Sequence, residues 1–268
     1  MAPDDTYTHG HHPSVLQSHS RRTVENSAAY LIPYLTPGRT VLDIGCGPGT
    51  ITEGLAARVA PGTVLGMDRA AGPLAAAEGR ARELGLANLT YRTGDVYAID
   101  LPDDAVDVVH AHQVLQHLTD PIAALVEMRR VCRPGGVVAV RDADYAAMTW
   151  YPQLPALDRW LELYRAVARH NGAEPDAGRR LTSWVLDAGF TVLTCTASAW
   201  CFASADERDW WAGTWAQRVT ESALAEQAVG AGLSTPAELA ELAAGWRAWA
   251  RQTGAWFAVL NAEVVAVA

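Results

Sequence analysis

Three glycines at alternate positions, in "DIGCGPGT" (residues 43–50), are the first residues of this chain with an evident chemical use. Gly45, Gly47 and Gly49 lack a Cβ, so the backbone there can approach a bound molecule closely. A dinucleotide fold asks for G-x-G-x-x-G, with its third glycine at position 50, but Thr50 stands there. The run is G-x-G-x-G, it carries Cys46 within it, and acidic Asp43 precedes it. Such a loop also serves as a plain turn, so its neighbours decide. Asp68 closes the next apolar run, "TVLGMD". A carboxylate there can accept from both hydroxyls of a ribose, each charge-assisted bond contributing roughly 1.5–3 kcal/mol. Asp95 closes a third run, "LTYRTGD", where it can accept from the exocyclic amine of adenine while the Val96 N–H reaches a ring nitrogen. Arg69 and Gly94 flank these carboxylates and join the same candidate set. Three such strand ends in succession describe a pocket for adenosine rather than for phosphate.

A second cluster lies near the amino terminus, where His9, His11, His12 and His19 fall within "THGHHPSVLQSHS". The segment around His9–His12 is turn-like and flanked by Gly and Pro, which does not supply the rigid geometry of a metal site. It also runs directly into an amphipathic stretch, which speaks against an appended tag. No metal is expected.

All 21 basic residues are Arg, and Lys is absent. A phosphate loop that needs its Lys and a Schiff-base enzyme that needs an amine are thereby excluded. A net charge of −9 disfavours a nucleic-acid partner. The four cysteines are scattered without a C-x-x-C pair, which fits a reducing compartment. No apolar run approaches the roughly 18–20 residues that span a bilayer, and the first residues lack a signal-peptide layout. The expectation is a cytoplasmic protein with a small-molecule substrate and no membrane insertion. The oligomeric state, a homodimer included, is left open.

The elements that position these residues follow from hydrophobic periodicity. Val24, Ala28, Leu31 and Leu35 recur at helical spacing over residues 18–35. Strands then alternate with helices through residue 145, with helices over 51–59, 71–86 and 120–132 and strands ending at Ile44, Asp68, Asp95, His112 and Tyr145. Such alternation specifies parallel βαβ units with a sheet covered on both faces. "FTVLTCTASAWCFA" reads as a sixth strand and "WFAVLNAEVVAVA" as a seventh. Residues 204–253 between them read as helical, with capping signals at Ser204/Glu207 and Thr235/Glu238 and a stripe of Leu239, Leu242, Trp246 and Trp249.

"VLDIGCGPGT", the acidic residue of "LGMD", the "GDV" turn and "RPGG" before strand five together resemble class I S-adenosylmethionine-dependent methyltransferases. Within that family the likeness is greatest to the ubiquinone and menaquinone biosynthesis branch. It covers roughly residues 18–200 and the last strand. The resemblance implies an α/β fold, a Rossmann-like doubly wound seven-stranded sheet with its last strand antiparallel. An N-terminal lid and helix (residues 1–37), a cofactor-binding core (38–203), a helical insertion (204–253) and the final strand (254–268) would compose it. It implies S-adenosylmethionine as cofactor, with Asp43 near the methionine amino group through the loop and Gly45 to Gly49 along the methionine part. Asp68 would hold the ribose, and Asp95 and Val96 the adenine.

In the resembling branch "HAHQVLQHLTD" lines the reactive end of the cofactor, which nominates His112, Gln113 and His117. His117 serves either as a general base or as a packing residue near the adenosine. The N-terminal segment folds over the cofactor mouth in that family, so Tyr7, His19 and Arg22 are candidates for a lid. Asp142, Asp144 and Tyr145 end strand five, where a substrate could meet the methyl group; they serve equally well as structural residues. All ten tryptophans lie at or after Trp150 and either roof an apolar or aromatic substrate or simply pack a core. The expected function is methyl transfer to a small apolar or aromatic molecule. Two alternatives are a non-methylating cofactor-binding protein of this fold, steering a rearrangement or assembling with a partner, and, less favoured by the glycine spacing, a nicotinamide dehydrogenase.

Overall fold

The run Val41-Leu42-Asp43-Ile44 is buried at every position, as a strand covered on both faces must be. In the computed structural model, which describes residues 5–10 and 12–268, it lies at the middle of an eight-stranded sheet. The strands are β1 (Val41–Ile44), β2 (Val64–Asp68), β3 (Leu89–Thr93), β4 (Val106–His112), β5 (Cys132–Ala143), β6 (Thr149–Tyr151), β7 (Thr191–Phe202) and β8 (Trp256–Val267). β3, β2, β1, β4 and β5 lie side by side in parallel. β8 runs antiparallel to β5, β6 and β7. The expected sheet is present with its antiparallel last strand, but seven strands become eight. The addition is β6, three residues that continue the line of β5 along β8 by pairing Thr149–Tyr151 with residues 256–258.

The helices are α1 (Pro13–His19), α2 (Val24–Ser27), α3 (Thr50–Val59), α4 (Ala71–Glu83), α5 (Pro121–Val131), α6 (Pro155–His170), α7 (Leu181–Asp187), α8 (Ala205–Glu221), α9 (Ala223–Gly230) and α10 (Pro236–Ala250). The continuous helix expected over residues 18–35 is broken into the end of α1, α2 and a 3-10 turn over Ala29–Tyr34. Thr23 and Asn26 cap each other reciprocally and so start a new helix. Pro33 then has no N–H to continue an α-helical ladder. Val24, Ala28, Leu31 and Leu35 are all buried nonetheless, so the periodicity marks the right face without the right continuity.

The expected helical insertion is α8, α9 and α10, between β7 and β8. Ser204 and Glu207 form the full capping box. Thr235 caps the Glu238 N–H, but the Glu238 carboxylate turns instead to Arg159 at 2.6 Å and Ser234 at 2.7 Å. These helices share an apolar core with α6 and with β6 and β8, centred on Trp160, Trp215, Trp246, Trp249 and Phe257. Two further cores cover the two faces of the parallel strands.

Candidate active site

The carboxyl ends of β1, β2, β3 and β4 open into a cavity of about 450 Å³, within the range of about 300–1,000 Å³ usual for small-molecule sites. Every residue singled out above for the cofactor or for catalysis lines it, except Gly49. Gly49 caps α3 at φ +81°, and a Cβ there would stand 2.3 Å from the Tyr91 hydroxyl, so it serves close packing instead. Gly45, at φ +65°, has Val114 so near that a Cβ would lie 2.4 Å from Cγ2. The Gly47 N–H donates to Asp68 Oδ2 at 2.8 Å, tying the loop to the end of β2. Asp68 Oδ1 accepts from Ala70 N at 2.9 Å. Each oxygen therefore holds one backbone donor and keeps acceptor capacity for a diol. Asp95 Oδ1 accepts from Tyr97 N at 3.0 Å.

Asp43 touches the cavity wall but works inward. Its oxygens lie 2.6 Å from Thr52 Oγ1 and 2.7 Å from His110 Nδ1, which fixes α3 and β4 to the loop. His110, fully buried, is a supporting residue that no sequence signal singled out. Burial, and then Asp43 and Asp68, push the Cys46 thiol up, so it stays protonated. A glycine cradle with two carboxylates at neighbouring strand ends fits an adenosine-bearing molecule.

The N-terminal segment closes over this cavity. Asp5 Oδ1 accepts from Thr119 N at 2.8 Å and Tyr97 Oη at 3.2 Å, and its carbonyl accepts from Arg69 Nη1 at 3.2 Å. Tyr7 packs edge-on against His117, with ring centroids 4.8 Å apart, and burial pushes its hydroxyl up to about 12. Burial, with Arg22 adding to it, pushes His117 down to about 3, and Gln116 Nε2 lies 3.0 Å from its Nε2. An imidazole held this low is a weak base at neutral pH, which favours the packing option for this residue over the general base. His112 is buried and pushed well down, by burial first.

A second cavity, of about 380 Å³, lies against the first. His9, His19, Arg22 and Gln113 line both. Gln113 sits at φ +54°, uncommon for a non-glycine residue and a mark of functional positions. Its Oε1 accepts from Arg22 Nη2 at 2.7 Å and its Nε2 donates to Asn261 Oδ1 at 3.0 Å. His19 is pushed well down by burial first. His9 is buried with its Nε2 2.9 Å from Tyr164 Oη and 3.3 Å from Tyr145 Oη. His12 caps α1 and lies 3.8 Å from Glu221. His11 lies outside the described residues, among which no group of three metal-capable side chains occurs.

Tyr145, Trp200, Trp210 and Arg218 line the second cavity, Trp211 and Trp215 line it from within the core, and Trp160, Trp246 and Trp249 belong to the core alone. Packing and cavity lining, the two roles that the sequence left open, thus overlap at Trp211 and Trp215. Asp142 and Asp144 line neither cavity. Asp144 holds Arg179 through bonds of 2.6 and 2.7 Å. Asp142 is buried, accepts from Gln116 N at 3.1 Å, and is pushed up to about 8 by burial. Sequence reading missed Arg218 entirely; its position on α8 carries no local signal.

Fold and first cavity together define a Rossmann-like protein with a nucleoside-type site. A family model described as a methyltransferase domain matches residues 35–204, more than half of the chain, and the chain belongs to that family. An uncharacterized methyltransferase of Schizosaccharomyces pombe is 37% identical over 225 residues, covering 81% of this chain and 80% of the relative. A ubiquinone biosynthesis O-methyltransferase of Pseudomonas fluorescens is 39% identical over 103 residues, only 38% of this chain and 43% of that protein. Among solved structures, a SAM-dependent methyltransferase from Aquifex aeolicus aligns with a TM-score of 0.54 at 22% identity, covering 69% of this chain and 92% of that one. At that identity the likeness concerns the fold. Among the described residues no helix is long and apolar enough to cross a membrane.

Proposed function

We propose that this chain transfers the methyl group of S-adenosylmethionine to a small apolar or aromatic acceptor. The observation that carries the reading is the wall of His9, His19, Arg22 and Gln113 shared by a nucleoside-type cavity and an aromatic one. Two molecules seated in the two cavities meet at that wall. The family supports S-adenosylmethionine as cofactor, and a phenol or quinol of the ubiquinone branch is one acceptor of the proposed kind.

When bound, the cofactor supplies a methyl group already activated by its sulfonium. The protein then supplies alignment and dryness. Asp68 accepts from the ribose, Asp95 and the Val96 N–H take the adenine, and Gly45 to Gly47 bed the methionine part, with Asp43 bracing them from beneath. Arg69 and Gly94 complete the floor beside Asp68 and Asp95. His112 and Gln113 shape the reactive end. Tyr7, His19 and His117 exclude water by closure, a role that the raised Tyr7 hydroxyl and the lowered His19 and His117 imidazoles support over proton transfer. The described residues of the segment up to 37, and residues 204–253, act as two covers on the core of residues 38–203 with its last strand at 254–268. The scattered cysteines support a cytoplasmic setting.

Calorimetry with S-adenosylmethionine, S-adenosylhomocysteine and NAD tests the reading. Asp68→Ala is expected to weaken S-adenosylhomocysteine binding at least tenfold, the loss of one charge-assisted bond or more. Binding of NAD alone would contradict the proposal. Cofactor binding without turnover on a quinol, phenol and indole panel would favour a non-methylating protein of the same fold.

A further inference from the structure

The second cavity carries more than aromatic faces. Arg218, on α8, is 4% exposed, and its guanidinium lies 5.0 Å from the Trp215 ring centroid. It donates from Nη2 to Ser18 Oγ, while its Nε has no hydrogen-bond partner among the described residues. Half-buried Arg22 donates to Gln113 Oε1, and its guanidinium lies 5.4 Å from the Trp200 centroid. Neither arginine forms an ion pair among the described residues. Arg141, comparably buried, shows the ordinary solution, a carboxylate partner in Glu263 at 3.1 Å. A buried cation without its anion is costly, and Arg218, with half-buried Arg22 on the same cavity, points to an anion that comes from outside.

The other groups around them do not neutralise this charge. Tyr7, Tyr145 and Tyr164 are pushed up by burial and stay neutral phenols. His9 and His19 are pushed down by burial and stay uncharged. Glu207 is the one carboxylate among the described residues of the lining. Its Oε2 is already engaged by Ala203 N, Ser204 N and Ser204 Oγ at the start of α8. Arg21, stacked 4.1 Å over Trp210, adds a third cation.

We infer that the acceptor carries a carboxylate, gripped between Arg22 and Arg218 while its apolar body lies on the tryptophan faces. This deepens the methyltransferase reading and rests on it. Planar guanidinium forks match carboxylates in geometry, so the pair selects the class of acceptor and fixes which end of it faces the shared wall.

Calorimetry on the full chain saturated with S-adenosylhomocysteine tests this, with indole-3-acetate against indole-3-acetamide and phenylacetate against phenylacetamide. Each acid is expected to bind at least tenfold more tightly than its neutral amide. Arg218→Gln should lower acid affinity by about tenfold to a hundredfold, leaving amide and S-adenosylhomocysteine affinities within about twofold. Arg218→Lys should recover part of the loss. Equal affinities for acid and amide, an unchanged acid affinity in Arg218→Gln, or no binding of either acid would overturn the inference. The acid–amide comparison needs no variant, so it decides even where Arg218→Gln fails to fold. Failure of S-adenosylhomocysteine itself to bind is a separate outcome, which removes the methyltransferase reading and the inference with it.

Discussion

The first cavity gathers the glycines Gly45, Gly47 and Gly94 and the carboxylates Asp68 and Asp95 from the carboxyl ends of β1, β2 and β3. The second is lined by long side chains, Arg22, Trp200, Trp210 and Arg218, drawn from distant parts of the chain. The contrast separates two design problems. A cofactor common to a family needs a fixed cradle, which positive-φ glycines and strand-end carboxylates provide. An acceptor peculiar to one protein needs walls of its own, which on the proposed function the N-terminal segment and the inserted helices would supply. The two halves should accordingly respond to different substitutions.

The largest effect is expected in the core beneath the second cavity. Trp160 is fully buried, with ring centroids 4.5 Å from Trp215 and 4.8 Å from Trp246. Trp160→Ala should cost about 3–5 kcal/mol in urea unfolding, with S-adenosylhomocysteine affinity of the folded protein changed less than about threefold. A tenfold loss of that affinity would erase the distinction between the halves. Next comes Gly45→Ala, which meets both a left-handed φ and Val114. It should lower S-adenosylhomocysteine affinity at least tenfold, and an unaltered affinity would mean that the loop is no cradle.

A smaller effect concerns Asp142, which accepts from the Gln116 N–H beneath the segment that leads from β4 toward the shared wall. Its folded pKa, about 8, exceeds the unfolded value of about 3.9. Between these values the native state keeps a proton that the unfolded state has lost. This group's contribution to stability therefore falls as pH rises from about 4 to about 8, then levels off. Asp142→Asn should flatten that slope in urea midpoints measured across the range; an identical slope in the variant would assign it to other groups. The smallest effect is expected for His117→Gln. With its imidazole held near 3, kcat should change less than about threefold and the pH–rate profile should keep its shape. Loss of a limb near pH 6–7 would restore the general base.

Much of the first half was legible because its determinants are local. A strand, a glycine loop and a carboxylate at the next strand end each lie within a few residues, and turn geometry alone requires glycine at position 45. The second half depends on partners far apart in sequence, such as Arg218 with Ser18 and Trp200 Nε1 with the Asn26 carbonyl at 2.8 Å. No spacing rule announces those pairs. Asp142 and Asp144 resembled substrate ligands because strand ends often carry them; only the position of Arg179 shows that Asp144 is already engaged. The N-terminal stretch misled in another way. A buried face at helical spacing is satisfied equally by one helix or by two short turns, and the capping pair Thr23–Asn26 favours the second. A three-residue strand such as β6 is too short for any period to register.

A crystal structure of the chain with S-adenosylhomocysteine tests the central claim most directly, namely that cofactor and acceptor occupy adjoining cavities across one wall. The ribose is expected on Asp68, the adenine beside Asp95 and Val96, and the thioether sulfur facing His19 and Gln113 toward the second cavity. A nucleoside bound elsewhere, or a sulfur turned away from that wall, would contradict it.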